Sequence, residues 1–132
     1  MTDRIAFINC RIGQQWSPKH HCWALVRETQ AALFGRVLPE MPVGVATSGL
    51  HAMAEIFASH DERRNWREVT APLDGAIALI ARKSADIHCG TYLDRDLPEP
   101  GLLHCDEAQG VRFDPLIIVG LSWGRIRYFV PA

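Results

Sequence analysis

The chain has 132 residues, which fits a single domain over residues 1–132 that can bury an apolar core without disulfides or metal. Its 14 Lys and Arg residues balance 15 Asp and Glu residues, for a formal net charge of -1, so we expect neither nucleic acid nor a membrane surface as partner. No apolar run reaches the ~20 residues of a membrane span. The first residues lack the basic and apolar regions of a secretory signal, and we therefore expect synthesis in the cytoplasm.

The first part of the chain predicts helices. An entry segment with a small apolar cluster runs to about Ser17, and a helix follows from Cys22 to about Phe34, closed by Gly35. Apolar positions of this helix recur at helical spacing and form one stripe: Cys22, Leu25, Val26, Thr29 and Leu33. Polar positions lie away from the stripe: Arg27, Glu28 and Gln30. A second helix is predicted over about 48–59, followed by an exposed charged segment at 61–64.

From Pro72 onward the residues predict short strands joined by turns. Apolar or alternating runs lie between turns that contain Gly or Pro, at 76–80, 87–93, 102–105, 111–113 and 125–130. Helices followed by strands are typical of the α+β class. We therefore expect N-terminal helices packed on a C-terminal antiparallel β-sheet.

Cys22 is the candidate nucleophile. It stands at the first turn of the predicted helix, where free backbone N–H groups and the helix dipole favour a thiolate. Because Cys22 belongs to the apolar stripe, we expect its side chain to face the core. His88 and His104 follow it on predicted strands, and a thiol, an imidazole and a second polar group form a papain-like arrangement.

Three histidines are each followed directly by a cysteine, at 21–22, 88–89 and 104–105. Adjacent side chains of a strand point to opposite faces, so Cys89 and Cys105 are predicted to be buried structural thiols where His88 and His104 face a site. Gly90 leaves room beside the His88 imidazole. Whether the two histidines share a face depends on the strand register, which the sequence leaves open.

In this order the residues resemble the NlpC-type cell-wall peptidases, a papain-like family, and especially its compact branch in bacteriophage tails. The matching segments are Trp16, Cys22–Arg27, Asp74-Gly75 with the strand 76–80, His88–Leu93, Leu102–His104, and, for the phage branch, Leu38-Pro39 and Tyr128–Val130. Two departures are His21, where the family has an acidic residue, and an Asp-Gly turn in place of Gly-Asp.

The resemblance implies a papain-like fold and a cysteine endopeptidase that needs no cofactor or metal and cleaves the peptide stems of bacterial peptidoglycan. Cys22 would be the nucleophile, His88 the general acid and base, and His104 the residue that orients His88. The backbone N–H of Cys22 would stabilise the oxyanion, and Trp16 and Tyr92 would line the substrate groove. The resemblance also implies delivery by a phage tail, with other tail proteins as partners and action in the cell wall or periplasm.

Two alternatives stay open. The His-Cys neighbours could form a metal-binding domain, since zinc accepts mixed histidine and cysteine ligands. The chain could also be a tail-tip protein that keeps the fold without activity. Of the remaining side chains, four histidines are predicted to be exposed: His20, His21, His51 and His60. Packing rather than binding is the simpler expectation for the tryptophans Trp16, Trp66 and Trp123.

Overall fold

A computed structural model describes residues 3–40, 61–82 and 85–132. Before the sheet come the helices α1 (Arg4–Arg11) and α2 (Cys22–Phe34) and a 3₁₀ helix (Asp61–Asn65). The strands are β1 (Trp66–Val69), β2 (Ile77–Arg82), β3 (Ala85–Leu93), β4 (Gly101–Asp106), β5 (Gly110–Asp114) and β6 (Ile126–Pro131), and helix α3 (Leu116–Ser122) precedes the last of them. The helix predicted over 48–59 lies outside the described residues.

The described strands form one antiparallel sheet in the order β1-β6-β2-β3-β4-β5. Strands β2 to β5 follow one another as a meander, and β6 returns to pair with β2. The predicted α+β class with an antiparallel sheet is confirmed. Each predicted strand is present within a few residues of its expected bounds, whereas the edge strand β1, with no alternating burial, was not predicted.

Helix α2 begins and ends where the sequence predicts. The backbone of His21 is extended, and its Nδ1 accepts a hydrogen bond from the Ala24 N–H at 3.3 Å, so His21 is the N-cap. At the other end Gly35 adopts a left-handed conformation with φ of 64°. The expectation that His21 is exposed is wrong, because its capping position buries it to 5% exposure, while His20 is exposed as predicted.

Gln30 is a second correction in α2. It was predicted to lie away from the apolar stripe, but it is fully buried. Its amide donates to the Gly75 carbonyl at 2.9 Å and accepts from Arg36 at 3.0 Å. A buried amide is tolerated when its hydrogen bonds are made, and this one ties α2 to the turn before β2.

Two short helices were not predicted. The expected entry segment contains α1, which Asp3 caps by accepting from the N–H groups of Ile5 and Ala6, and which buries Phe7 and Ile8. The apolar run after β5 forms α3, of which Val119 is buried. The sequence of a short apolar segment is compatible with either a strand or a helix, and tertiary packing decides between the two.

Alternate residues of the sheet belong to different apolar clusters. Leu79 and Cys89 pack with Cys22 and Val26 of α2. The neighbouring Ile80 packs instead in a cluster that contains Leu102, Tyr92, Tyr128 and Val119 of α3. A third cluster joins α1 and α2 to β3, β4 and β5. The start of α2 therefore lies directly against the middle of β3.

Candidate active site

Cys22 is the first residue of α2 and is 1% exposed. Its position places the sulfur at the positive end of the helix dipole, and it packs in the same cluster as Cys89. The expectation that the thiol faces the core is confirmed. The described cysteines are all free thiols.

The surroundings of Cys22 stabilise a thiolate. Hydrogen bonding with the Cys89 thiol lowers the pKa of Cys22 most, and burial opposes it. Hydrogen bonding with His88 and the positive charges of His88 and His21 lower the pKa further, so that it lies well below its usual range. Burial and the neighbouring Cys22 raise the pKa of Cys89 well above its usual value. Of the two thiols, Cys22 is therefore the one that ionises.

His88 and His104 share a face of the sheet and are hydrogen-bonded to each other. His88 Nε2 lies 2.9 Å from His104 Nδ1, and both side chains are buried. Burial lowers the pKa of His104, as does the charge of His88, and the hydrogen bond to Asp114 opposes both effects. Of the three predicted catalytic residues, His88 and His104 are thus in direct contact, and Cys22 is connected to His88 through the effect of His88 on its pKa.

Gly90 makes this pairing of strands possible. It lies opposite His104 in the β3–β4 register. A Cβ atom at Gly90 would stand 2.8 Å from the carbonyl oxygen of Leu103 and 3.0 Å from Cβ of His104. These contacts are with β4 rather than with the His88 ring, so the predicted room beside that ring stays a prediction.

A β-bulge lies just before His88. Ile80 pairs with His88 and the next residue, Ala81, pairs with Asp86, so β3 carries one extra residue between the two pairs. Bulges interrupt side-chain alternation and often re-aim a side chain at a functional site.

Asp114, which the sequence did not point to, extends the pair of histidines. Its Oδ2 lies 2.9 Å from His104 Nε2, so both ring nitrogens of His104 are hydrogen-bonded. Arg112 in turn donates to Asp114 Oδ1 from Nη2 at 3.1 Å and from Nε at 3.3 Å. A carboxylate at the end of β5 is a visible signal in the sequence. Its pairing partner, however, depends on the register of β4 against β5.

Trp123 lies on the other side of His88. The two rings are stacked, with centroids 4.5 Å apart and 9° between their planes. Trp123 is a packing residue as predicted, but the surface it covers is the ring of the candidate catalytic histidine.

The two residues predicted to bind substrate are both packed against other side chains. Tyr92 is 7% exposed and packs edge-on against Tyr128, with ring centroids 6.1 Å apart. Trp16 is half-buried against the cluster that contains Phe7 and Leu25. Their role in substrate binding stays a prediction.

The metal-binding alternative has no geometric support in the part of the chain that the structure describes. Those residues contain no group of three or more His, Cys, Asp or Glu side chains placed to hold an ion. Strand alternation separates Cys105 from His104, and the Cys105 thiol donates to the His20 carbonyl at 3.6 Å.

Comparisons with protein-family models, with curated proteins and with solved structures find no match for this chain. Among the described helices, none has the length and apolar character needed to cross a membrane.

Proposed function

We propose that this chain is a cysteine peptidase of the NlpC-type, papain-like class. One arrangement carries the proposal: a buried thiol is the first residue of α2, and the imidazole of His88, which lowers the pKa of that thiol, is hydrogen-bonded to a second, buried histidine. An activated thiol, a general base and a group that orients the base are what acyl transfer to a cysteine needs.

The chemistry follows from these roles. The Cys22 thiolate attacks the carbonyl carbon of the scissile amide, and the backbone N–H of Cys22 donates to the oxygen that becomes negative. The His88 imidazolium gives its proton to the leaving amine as the carbon–nitrogen bond breaks. A water molecule, deprotonated by His88, then attacks the thioester, and Cys22 leaves as the thiolate.

The substrate in this proposal is the peptide stem of bacterial peptidoglycan, and the setting is a phage tail that delivers the enzyme to the cell wall. Both rest on the motif order described above, from Trp16 and the Cys22 helix to the two histidine strands. Since Cys22 is 1% exposed, a substrate carbonyl reaches the sulfur only if neighbouring side chains move on binding.

Digestion of purified cell wall tests the proposal. The unmodified protein should release stem-peptide fragments that mass spectrometry identifies by the bond cleaved. Cys22→Ala should release none, whereas Cys10→Ala, which alters an exposed thiol outside the site, should behave as the unmodified protein. Equal digestion by Cys22→Ala would show that Cys22 is not the nucleophile.

The burial of Cys22 also favours a second candidate, a structural protein of the tail tip that keeps the site without using it. Alkylation at neutral pH separates the two. A peptidase site should let a small alkylating reagent modify Cys22 faster than Cys89, and a purely structural thiol pair should resist modification in the folded protein.

A further inference from the structure

The hydrogen-bond chain from Arg112 to His88 determines which nitrogens carry protons. Arginine has only donors, and Arg112 places two of them on the carboxylate of Asp114. The ionised carboxylate can only accept, so His104 must carry its proton on Nε2, the nitrogen 2.9 Å from Asp114 Oδ2. In neutral His104 the other nitrogen, Nδ1, is then an acceptor.

The proton positions of His88 follow from those of His104. Because His104 Nδ1 accepts, His88 Nε2 at 2.9 Å must be the donor. The nitrogen of His88 that remains free to take a proton is therefore Nδ1. The proton positions of both histidines therefore depend on Asp114, which accepts from His104 Nε2.

We infer that Asp114 is a positioning residue that fixes the tautomers of His104 and His88 and so makes His88 Nδ1 the base of the site. The catalytic consequence rests on the proposed function. When His88 Nδ1 takes the thiol proton, the new positive charge is held through His88 Nε2–H and His104 by the carboxylate. Asp114 itself takes no proton in the reaction.

Asp114→Asn tests this assignment because it should reverse the donor and acceptor roles of the histidine nitrogens with little change in the shape of the side chain. An amide NH₂ group cannot accept from Arg112, so the amide oxygen should turn to Arg112 and leave the NH₂ group facing His104 Nε2. His104 would then accept there and carry its proton on Nδ1. His88 Nε2 would have to accept, and its proton would lie on Nδ1, where a base is needed.

Nitrogen NMR of the histidine rings reads these tautomers without any assay of activity. In the unmodified protein His104 should be protonated on Nε2 and bare on Nδ1. In Asp114→Asn the proton of His104 should lie on Nδ1, and Nε2 should carry none. Spectra of His88→Gln and His104→Gln assign the signals. Asp106→Asn is the matched control: its amide oxygen can keep the turn bond to the Ala108 N–H, and it removes a charge near His104 without touching that ring.

In the digestion of cell wall, Asp114→Asn should lower kcat by up to about 10⁴-fold, the loss that a reversed histidine tautomer causes in a serine-protease triad, with KM little changed. Asp106→Asn should stay close to the unmodified rate. A His104 proton on Nδ1 in the unmodified protein, or an unchanged tautomer in Asp114→Asn, overturns the inference.

The inference and the proposed function can fail separately. If the tautomers exchange as expected but the unmodified protein digests no wall, the proton assignment stands and the peptidase proposal falls. If the unmodified protein digests wall and folded Asp114→Asn does so at the same rate, the peptidase proposal stands and the positioning role of Asp114 falls. The spectrum of the unmodified protein decides the assignment even if Asp114→Asn fails to fold.

Discussion

The indole of Trp123 lies parallel to the imidazole of His88, with 4.5 Å between ring centroids, while His104 meets the same imidazole edge-on at 80°. His88 is thus held on its face by one ring and at Nε2 by another. A side chain fixed from two directions keeps one orientation, which a group that transfers protons requires.

Trp123→Leu keeps apolar bulk beside His88 but removes the stacked ring. We expect the free energy of unfolding to fall by about 0.5–1.5 kcal/mol for the aromatic pair, in addition to the loss from the smaller side chain. On the proposed peptidase function, the release of cell-wall fragments should also fall, because the His88 ring gains freedom. Chemical denaturation and fragment release measure the two effects.

The variant for comparison is Trp66→Leu, which changes a half-buried tryptophan of the edge strand β1 that packs against the cluster containing Cys22, whereas Trp123 stacks on His88 itself. It should lower stability without slowing turnover in the fraction that is folded. If both variants lose activity only in proportion to their folded fraction, Trp123 does not position His88.

Cys89 supplies the largest effect on the pKa of Cys22, and two substitutions separate its hydrogen bond from its bulk. Cys89→Ala removes the donor, so the pKa of Cys22 should rise and the pH profile of its alkylation should move to higher pH. Cys89→Ser keeps a hydroxyl donor, and its profile should stay closer to that of the unmodified protein. Mass spectrometry of the Cys22 peptide gives the rate at each pH.

The direction in which the alkylation profile should move follows from the lowered pKa of Cys22. A lowered pKa means that the Cys22 thiolate persists at pH values at which an ordinary thiol is protonated. Without the Cys89 donor, the lowest pH at which Cys22 is still a thiolate should rise. Profiles that coincide for Cys89→Ala and the unmodified protein would mean that His88 and the helix terminus, rather than Cys89, stabilise the thiolate.

The parts of the fold that the sequence predicts are those that local spacing determines. Helix α2 has a periodic apolar stripe and a glycine at its end, and the histidine strands alternate between Gly- and Pro-rich turns. Cys22, His88 and His104 could be selected for the same reason. Each stands at a recognisable point of its own element, before any contact between elements is known.

The residues that were missed depend on contacts between distant segments. Asp114 meets His104 only because β4 and β5 pair in one register, with Leu102 opposite Asp114. Trp123 reaches His88 from the end of α3, a helix too short and too uniformly apolar to predict. Gln30 is polar, which predicts a position outside the core, but Gly75 and Arg36 satisfy its amide in the interior.

Gly90→Ala should disturb the site from within the sheet. The added Cβ meets a backbone oxygen, that of Leu103, and strands held in a sheet cannot move aside as a flexible side chain can. We expect a loss of about 1–3 kcal/mol in unfolding free energy, together with a changed His104 signal in the NMR spectrum.

Gly120→Ala is the control for that substitution, since a Cβ at this exposed position of α3 meets nothing within 4 Å. Alanine is favoured over glycine within a helix by up to about 1 kcal/mol, so stability should hold or rise. Equal losses in the two variants would mean that the cost at Gly90 is not the close approach of β4.

Asp74, in the turn that the family resemblance includes, has a structural role. Its carboxylate accepts from both terminal nitrogens of Arg4, at 2.7 and 2.8 Å, and from the N–H groups of Asp94 and Arg95. Burial alone would raise the pKa of Asp74, but these hydrogen bonds outweigh it and hold the pKa below its usual value. Asp74→Asn should therefore cost about 1.5–3 kcal/mol in unfolding free energy near neutral pH.

The loss of stability in Asp74→Asn should depend on pH. A lowered carboxyl pKa stabilises the fold above the ordinary value of 3.8, and that contribution is lost as the pH falls through the lower folded value. The stability difference between the unmodified protein and Asp74→Asn should therefore narrow in acid. Asp61→Asn, which changes an 87% exposed partner of Arg64, should shift stability by less than about 0.5 kcal/mol. A difference between Asp74→Asn and the unmodified protein that stays constant down to acid pH would mean that the charge of Asp74 does not stabilise this turn.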